Sequence, residues 1–195
     1  MRLQKTVYSV LLISSADRFT DAVCSLLSPA DHAPVERASS VSAAKRILSR
    51  RQFDFVIINT PLPDESGVDF ACEVSENTHS AVLVFVRGEM YAAVYEQLTP
   101  FGVFTLNKPL SQQSLMTALL WLAAARERLR KTESKAVSIE QKMQEIRTVN
   151  KAKWLLLDRE QMSEAQAHRF IEKEAMNRCV PKLVIAKEII QKYET

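Results

Sequence analysis

With 195 residues, 47% of them hydrophobic and 25% charged, the chain can hold one large domain or two smaller ones, with enough apolar material for a core. A formal net charge of +3 is too small to announce a nucleic-acid partner by itself. No apolar run is long enough to cross a membrane, and the run at residues 7–13 is short and lacks the cleavage pattern of a signal peptide. Cys24, Cys72 and Cys179 stand far apart with no Cys-x-x-Cys spacing, which predicts a reduced, cytoplasmic protein with neither a disulfide scaffold nor a zinc site.

The distribution of charge says more than its total. Residues 1–110 balance to −2, residues 111–150 to +3 and residues 151–195 to +2. The basic excess therefore lies in the C-terminal part, where a polyanion would bind if one binds at all.

In chain order, short apolar runs at 10–13, 53–58, 81–86 and 103–106 read as buried strands, with a further strand near 35–38. Helical spacing falls between them, at 18–27, 42–50, 70–76 and 92–98. Strand–helix alternation at this interval predicts right-handed βαβ units and a parallel sheet covered on both faces. The expected architecture is a flavodoxin-like five-stranded α/β domain, with any site at the C-terminal strand ends.

After Pro109 the character changes. Residues 111–158 contain no Pro or Gly and are rich in helix formers, a length that predicts a stalk or coiled coil. One heptad register places Leu115, Leu122, Leu129, Ala136, Met143 and Asn150 at a, and Ala118, Ala125, Thr132, Ile139 and Ile146 at d. In a parallel dimer Arg128–Glu133 and Lys135–Glu140 attract across the seam while Lys142–Arg147 repel. Asn150 at an a position would set register and two-strandedness. The alternative is a long helix folded back on its own α/β domain. Residues 115–122 are expected to do that, and dimerisation is expected beyond, through Leu129, Ile139, Met143, Ile146 and Asn150.

Two more helices close the chain. Ser163 with Gln166 forms a capping-box pattern for a helix running to about 178, and Pro181 precedes a helix over 182–193. In the first of these, Ala167, Phe170, Ile171 and Ala175 make the expected core stripe, and Arg169, Lys173 and Met176 share the opposite face. That face reads either as two phosphate-binding cations beside a base-packing methionine, or as a charged exposed face with Met176 against the long helix. Lys153 and Lys182 are further candidate RNA contacts. Trp121 and Trp154, at helical spacing with leucines, read as packing residues. His168 has no carboxylate or cysteine at ligand spacing.

The stretch from Phe53 through Asn59, Pro63 and Gly67, and the stretch Gly102 to Lys108-Pro109, resemble the third strand and loop and the fifth strand of response-regulator receivers, over about residues 7–125. The resemblance implies a phosphoacceptor aspartate at position 59, where this chain has Asn59. It implies an Mg²⁺-holding acidic pair at Ser14 and Ser15, and a switch hydroxyl at Val86. Its aromatic switch partner aligns with Thr105, and only Lys108 of the set remains. An amide is a poor nucleophile toward phosphorus, and hydroxyls without carboxylates hold Mg²⁺ badly. The domain therefore reads as a pseudo-receiver with no catalytic residue, no metal and no cofactor. Lys108 either binds an anion or a partner's carboxylate, or supports the turn into Pro109.

From about Ile146 to Tyr193 the chain resembles the ANTAR family of antiterminators. The resemblance rests on Asn150-Lys-Ala152-Lys153, Leu156-Leu157, Met162-Ser163, Ala167, Glu174-Ala175-Met176, Ile185-Ala186 and Ile189-Ile190; His168 stands where an aromatic is common. It implies binding to paired stem-loops in nascent leader RNA, which keeps a terminator hairpin from forming. The division is then a pseudo-receiver at 1–125, a coiled-coil stalk at 126–150 and a three-helix ANTAR RNA-binding module at 146–195. The expected partners are leader RNA, a second copy of the chain and a regulatory sensor protein, with no membrane. A DNA-binding response regulator and a protein-only adaptor are the rival classes. The former would need a base-reading recognition helix, and 182–193 is too apolar for one.

Overall fold

The computed structural model describes residues 6–193, which form two compact units, one ending at Lys131 and the other beginning at Thr132. In the first, strands β1 (Tyr8–Ile13), β2 (His32–Ala38), β3 (Phe55–Asn59), β4 (Ala81–Arg87) and β5 (Phe104–Lys108) alternate with helices α1 (Asp17–Leu26), α2 (Val41–Leu48), α3 (Gly67–Asn77) and α4 (Tyr91–Leu98). Helix α5 (Gln112–Glu160) begins in this unit and ends in the second. All five strands are parallel, in the order β2-β1-β3-β4-β5.

The central strands carry apolar residues on both faces because helices cover both. Leu11, Ile13, Val56, Ile58 and Val84 meet Ala44, Phe70, Val74 and Val94 on the side of α2, α3 and α4. Val10, Leu12, Phe55, Ile57 and Phe85 meet Val23 of α1 and Leu115, Ala118 and Leu122 of α5. The first two turns of the heptad pattern are thus occupied by the sheet.

The long helix stays with this unit further than residue 125. Asp54, just before β3, accepts hydrogen bonds from Arg126 Nε at 2.9 Å, Arg130 at 2.8 Å and the Ser9 amide at 2.9 Å. The Tyr8 hydroxyl donates to Glu127 at 3.1 Å. Burial alone would raise the Asp54 carboxyl, but the Ser9 and guanidinium hydrogen bonds outweigh it and hold it below the usual carboxylate range. Asp54→Ala leaves the mostly buried Arg126 without its carboxylate. It is expected to cost the first unit roughly 2–4 kcal/mol in urea unfolding. The depressed value fixes the sign with pH. Asp54's contribution is complete above the unfolded value of about 3.9 and is lost as pH falls through the lower folded value. An Asp54→Ala protein unfolding at the wild-type urea midpoint at neutral pH would show the cluster to be inert.

The second unit packs the C-terminal part of α5 with α6 (Glu164–Asn177) and α7 (Lys182–Tyr193) around Ala152, Leu156, Ala167, Ile171, Ala175, Ile185, Ala186 and Ile189. Four of these eight are alanines, which lets the helices approach closely. Ser163 accepts from the Gln166 amide and its own amide donates to Gln166 Oε1 at 2.8 Å, a complete capping box. Helix α6 ends in a Schellman turn. Cys179 takes φ 50°, its amide reaches Met176 O at 3.2 Å, and the Val180 amide reaches Ala175 O at 3.0 Å. Pro181 stands immediately before α7, so its missing N–H costs no helical hydrogen bond.

Candidate functional site

At the C-terminal strand ends of the first unit, Asn59 closes β3 and is 5% exposed. Its Nδ2 donates to Ser14 Oγ at 2.9 Å, while its Oδ1 accepts nothing among the described residues. Ser14 is itself committed to the turn behind β1, accepting from the Ala16 amide at 3.1 Å. Ser15 is exposed, Val86 is a buried methyl wall, and Thr105 is buried with a hydroxyl that finds no partner among the described residues. Lys108 donates to the Thr60 carbonyl and lies 6.0 Å from the Phe19 ring centre. Burial, with Arg87 nearby, lowers its pKa from the ordinary lysine value.

The nearest loop acids are turned to structural use. Asp64 accepts the Val41 and Ser42 amides at 3.0 and 2.9 Å, capping α2, and those bonds hold its carboxyl well below the usual range. Glu65 pairs with Lys45 at 3.1 Å. A Cβ at Gly67 would meet Thr60 Cγ2 at 2.9 Å, so the loop closes tightly over the β3 end. Asn59, Ser14 and Lys108 are thus gathered at one edge, with a neutral amide in place of an acid and no carboxylate paired with Lys108 among the described residues.

The second unit presents a different kind of surface. On α6, Arg169, Lys173 and Met176 are exposed on the face opposite Ala167, Ile171 and Ala175. Met176 is 78% exposed, so most of its side chain is uncovered. Neither Arg169 nor Lys173 forms an ion pair or hydrogen bond among the described residues. Phe170 departs from the sequence expectation. It is 40% exposed and lines a shallow depression of about 310 Å³ with Met162, Gln166, Arg169 and Lys173. The wheel explains this: at 100° per residue Phe170 sits about 100° from Ile171, at the rim of the stripe.

Lys153 and Lys182 are held differently. Lys153 pairs with Glu164 at 3.3 Å and Lys182 with Glu172. His168 also meets Glu172, at 3.2 Å, so it has a carboxylate one turn away after all. Lys153, Lys182, His168 and Asn150 border one cavity of about 450 Å³, walled by Ile146, Val149 and Leu183. Both tryptophans correct the sequence reading: Trp121 is 50% and Trp154 69% exposed, because the buried faces of α5 belong to Leu115–Leu122 and Ala152–Leu156.

From 132 to 147 every residue except Glu133 is exposed, including Val137, Ile139, Met143 and Ile146. Leu129 lies at the exposed edge of the first unit, and Asn150 is exposed. Among the described residues no cluster of three or more His, Cys, Asp or Glu is placed to hold a metal, and no helix is long and apolar enough to cross a membrane.

A parallel 2-1-3-4-5 sheet, followed by a close-packed three-helix module, defines a receiver-fold domain continued by a helical module. Residues 138–190 match the family model of the ANTAR domain, and form one. Transcriptional regulatory protein PdtaR of Mycobacterium tuberculosis (strain ATCC 25618 / H37Rv) is 22% identical over 138 residues, 71% of this chain and 67% of that protein. The aliphatic amidase regulator of Pseudomonas aeruginosa is 27% identical over 127 residues, 65% of this chain and 63% of that protein. The chain thus matches about two thirds of the length of these relatives. The first unit has the fold of the receiver domain of an HD domain-containing protein from Pseudomonas fluorescens Pf-5, with TM-score 0.58 at 20% identity, covering 67% of this chain and 96% of that one. It likewise resembles a response regulator receiver domain protein from Clostridium thermocellum, with TM-score 0.56 at 23% identity, covering 65% and 99%.

Proposed function

We propose that this chain is a cytoplasmic, homodimeric RNA-binding regulator of transcription that holds hairpins in nascent leader RNA so that a terminator cannot form. The observation that carries the reading is the ANTAR domain at 138–190, whose α6 exposes two cations without a partner among the described residues, a methionine and a phenylalanine on one face. Cations without carboxylate partners are available to phosphates, and the exposed apolar side chains offer surfaces to unstacked loop bases. Lys153 and Lys182 must first leave Glu164 and Glu172, so they rank behind Arg169 and Lys173 as contacts.

The receiver half acts without phosphotransfer, because Asn59 supplies no carboxylate and Ser14 is already hydrogen-bonded within its own turn. Control then falls to a partner, a sensor protein that covers the RNA face or the dimer seam. The Pseudomonas relative, an amidase regulator by name, supports the regulatory reading. The apolar inward face of α7, with Ile185 and Ile189 buried, disfavours a DNA-reading helix.

The test is filter binding of the full chain to a pair of linked RNA hairpins and to duplex DNA of equal length, with and without acetyl phosphate and Mg²⁺. Preference for the hairpins and indifference to acetyl phosphate are expected. Equal or tighter binding to duplex DNA, or binding to neither, overturns the RNA reading. A hydroxylamine-sensitive phosphate on the receiver half overturns phosphorylation independence.

A further inference from the structure

Between α1 and the start of α5 the first unit has a groove of about 420 Å³, within the size range of small-molecule sites. Its walls are apolar, built from Phe19, Val23 and Leu26 on one side and Leu110 and Leu115 on the other. The polar lining is Lys108 together with Ser25, Ser111 and Gln112, the last two opening α5. Among the described residues no acidic side chain lines it.

Lys108 makes this groove chemically specific. Its ammonium is partly buried, its hydrogen bond goes to the neutral Thr60 carbonyl, and it forms no ion pair among the described residues. Burial, helped by the nearby Arg87, lowers its pKa from the ordinary lysine value. A partly desolvated cation without a counter-ion favours an anion. The amino end of α5 adds its own partial positive charge. One cation beside a mostly apolar lining fits one negative head on an apolar body. A polyphosphate would leave most of its charge unmatched, and an amine would meet Lys108 as a like charge.

We propose that this groove binds a small hydrophobic monocarboxylate, its carboxylate on Lys108 and the first turn of α5 and its body between α1 and Leu110–Leu115. The site is independent of the RNA reading, since every residue in it belongs to the first unit.

The test uses the isotopically labelled full chain with octanoate and 3-phenylpropanoate as probes, against octanamide and 3-phenylpropanamide. Saturable NMR shifts centred on Ala22, Leu26, Lys108 and Leu110 are expected for the acids. The amides should bind at least about tenfold more weakly, as expected for loss of a charge-assisted hydrogen bond. Lys108→Met should weaken the acids to the same degree. Ala22→Trp, at an exposed position on the groove wall, should fill it and abolish binding while leaving the resonances around Asp54 and Arg126 in place. The proposal is overturned if the acids give no saturable shifts at millimolar concentration, if the amides bind equally well, or if binding survives either variant unchanged.

Discussion

Ile139→Asp is expected to convert the protein from dimer to monomer while both units stay folded. Ile139 is 63% exposed in a stretch where Val137, Met143 and Ile146 are exposed as well and no other helix covers them within the described residues. A bare helix of this length gains little from propensity alone and is stabilised chiefly by packing an apolar face. In the proposed dimer a second copy supplies that packing in register, with Ile139 and Ile146 at d and Met143 at a. An aspartate at the seam faces its own copy, and burying it unpaired costs several kcal/mol. The dimer dissociation constant should rise by roughly a thousandfold or more, since each 1.4 kcal/mol is tenfold. Sedimentation equilibrium reads the mass, and the unchanged receiver spectrum shows that the first unit is intact. An Ile139→Asp protein that sediments as the wild type does would place the dimer seam elsewhere.

The second large effect concerns the α6 face. Replacing Arg169 and Lys173 together by alanine should weaken binding to a cognate hairpin pair by on the order of a hundredfold at low salt. The salt slope should fall by roughly 0.7–0.9 for each phosphate that is no longer neutralised. Met176→Ala, and Phe170→Leu on the same face, should weaken binding with little change in slope, Met176→Ala by roughly 1–3 kcal/mol if it packs a base. The two signatures separate phosphate neutralisation from base packing, which a general loss of charge cannot imitate. Folding is expected to be spared because Arg169, Lys173 and Met176 are exposed and the two cations carry no internal ion pair among the described residues. Circular dichroism and dimer mass check that point. Undiminished hairpin affinity in the double variant at two salt concentrations moves the interface to Lys153, Lys182 and the cavity beside Asn150.

The strand runs were legible because a buried parallel strand must be continuously apolar, and residues 10–13, 55–58 and 81–86 satisfy that directly. The capping box at Ser163 and the proline before α7 were legible too, since both act within one turn of the residue that carries them. That Asn59, Ser14 and Ser15 carry no carboxylate needs only residue identity. The ANTAR domain was legible as an ordered set of small and apolar positions from 150 to 190, and the family match covers 138–190.

Exposure was not legible in the same way. A heptad pattern is indifferent to what covers it: Leu115, Ala118 and Leu122 face the receiver sheet, while Ile139, Met143 and Ile146 face solvent in the same helix. Trp121 and Trp154 sit among leucines in sequence yet on the uncovered side of α5, and Phe170 lies at the rim of its stripe rather than inside it. Pairing between distant residues is likewise a tertiary matter. Asp54 with Arg126 and Arg130, Lys153 with Glu164, and Lys182 with Glu172 are separated by 72, 76, 11 and 10 positions respectively, and no local periodicity announces them. Local rules act over a turn or a strand, so the elements, their order and the missing carboxylates follow from the residues as written. Which apolar faces are covered, which cations are already neutralised, and that Lys108 has no carboxylate partner among the described residues beside an apolar groove depend on chain segments brought together only by folding.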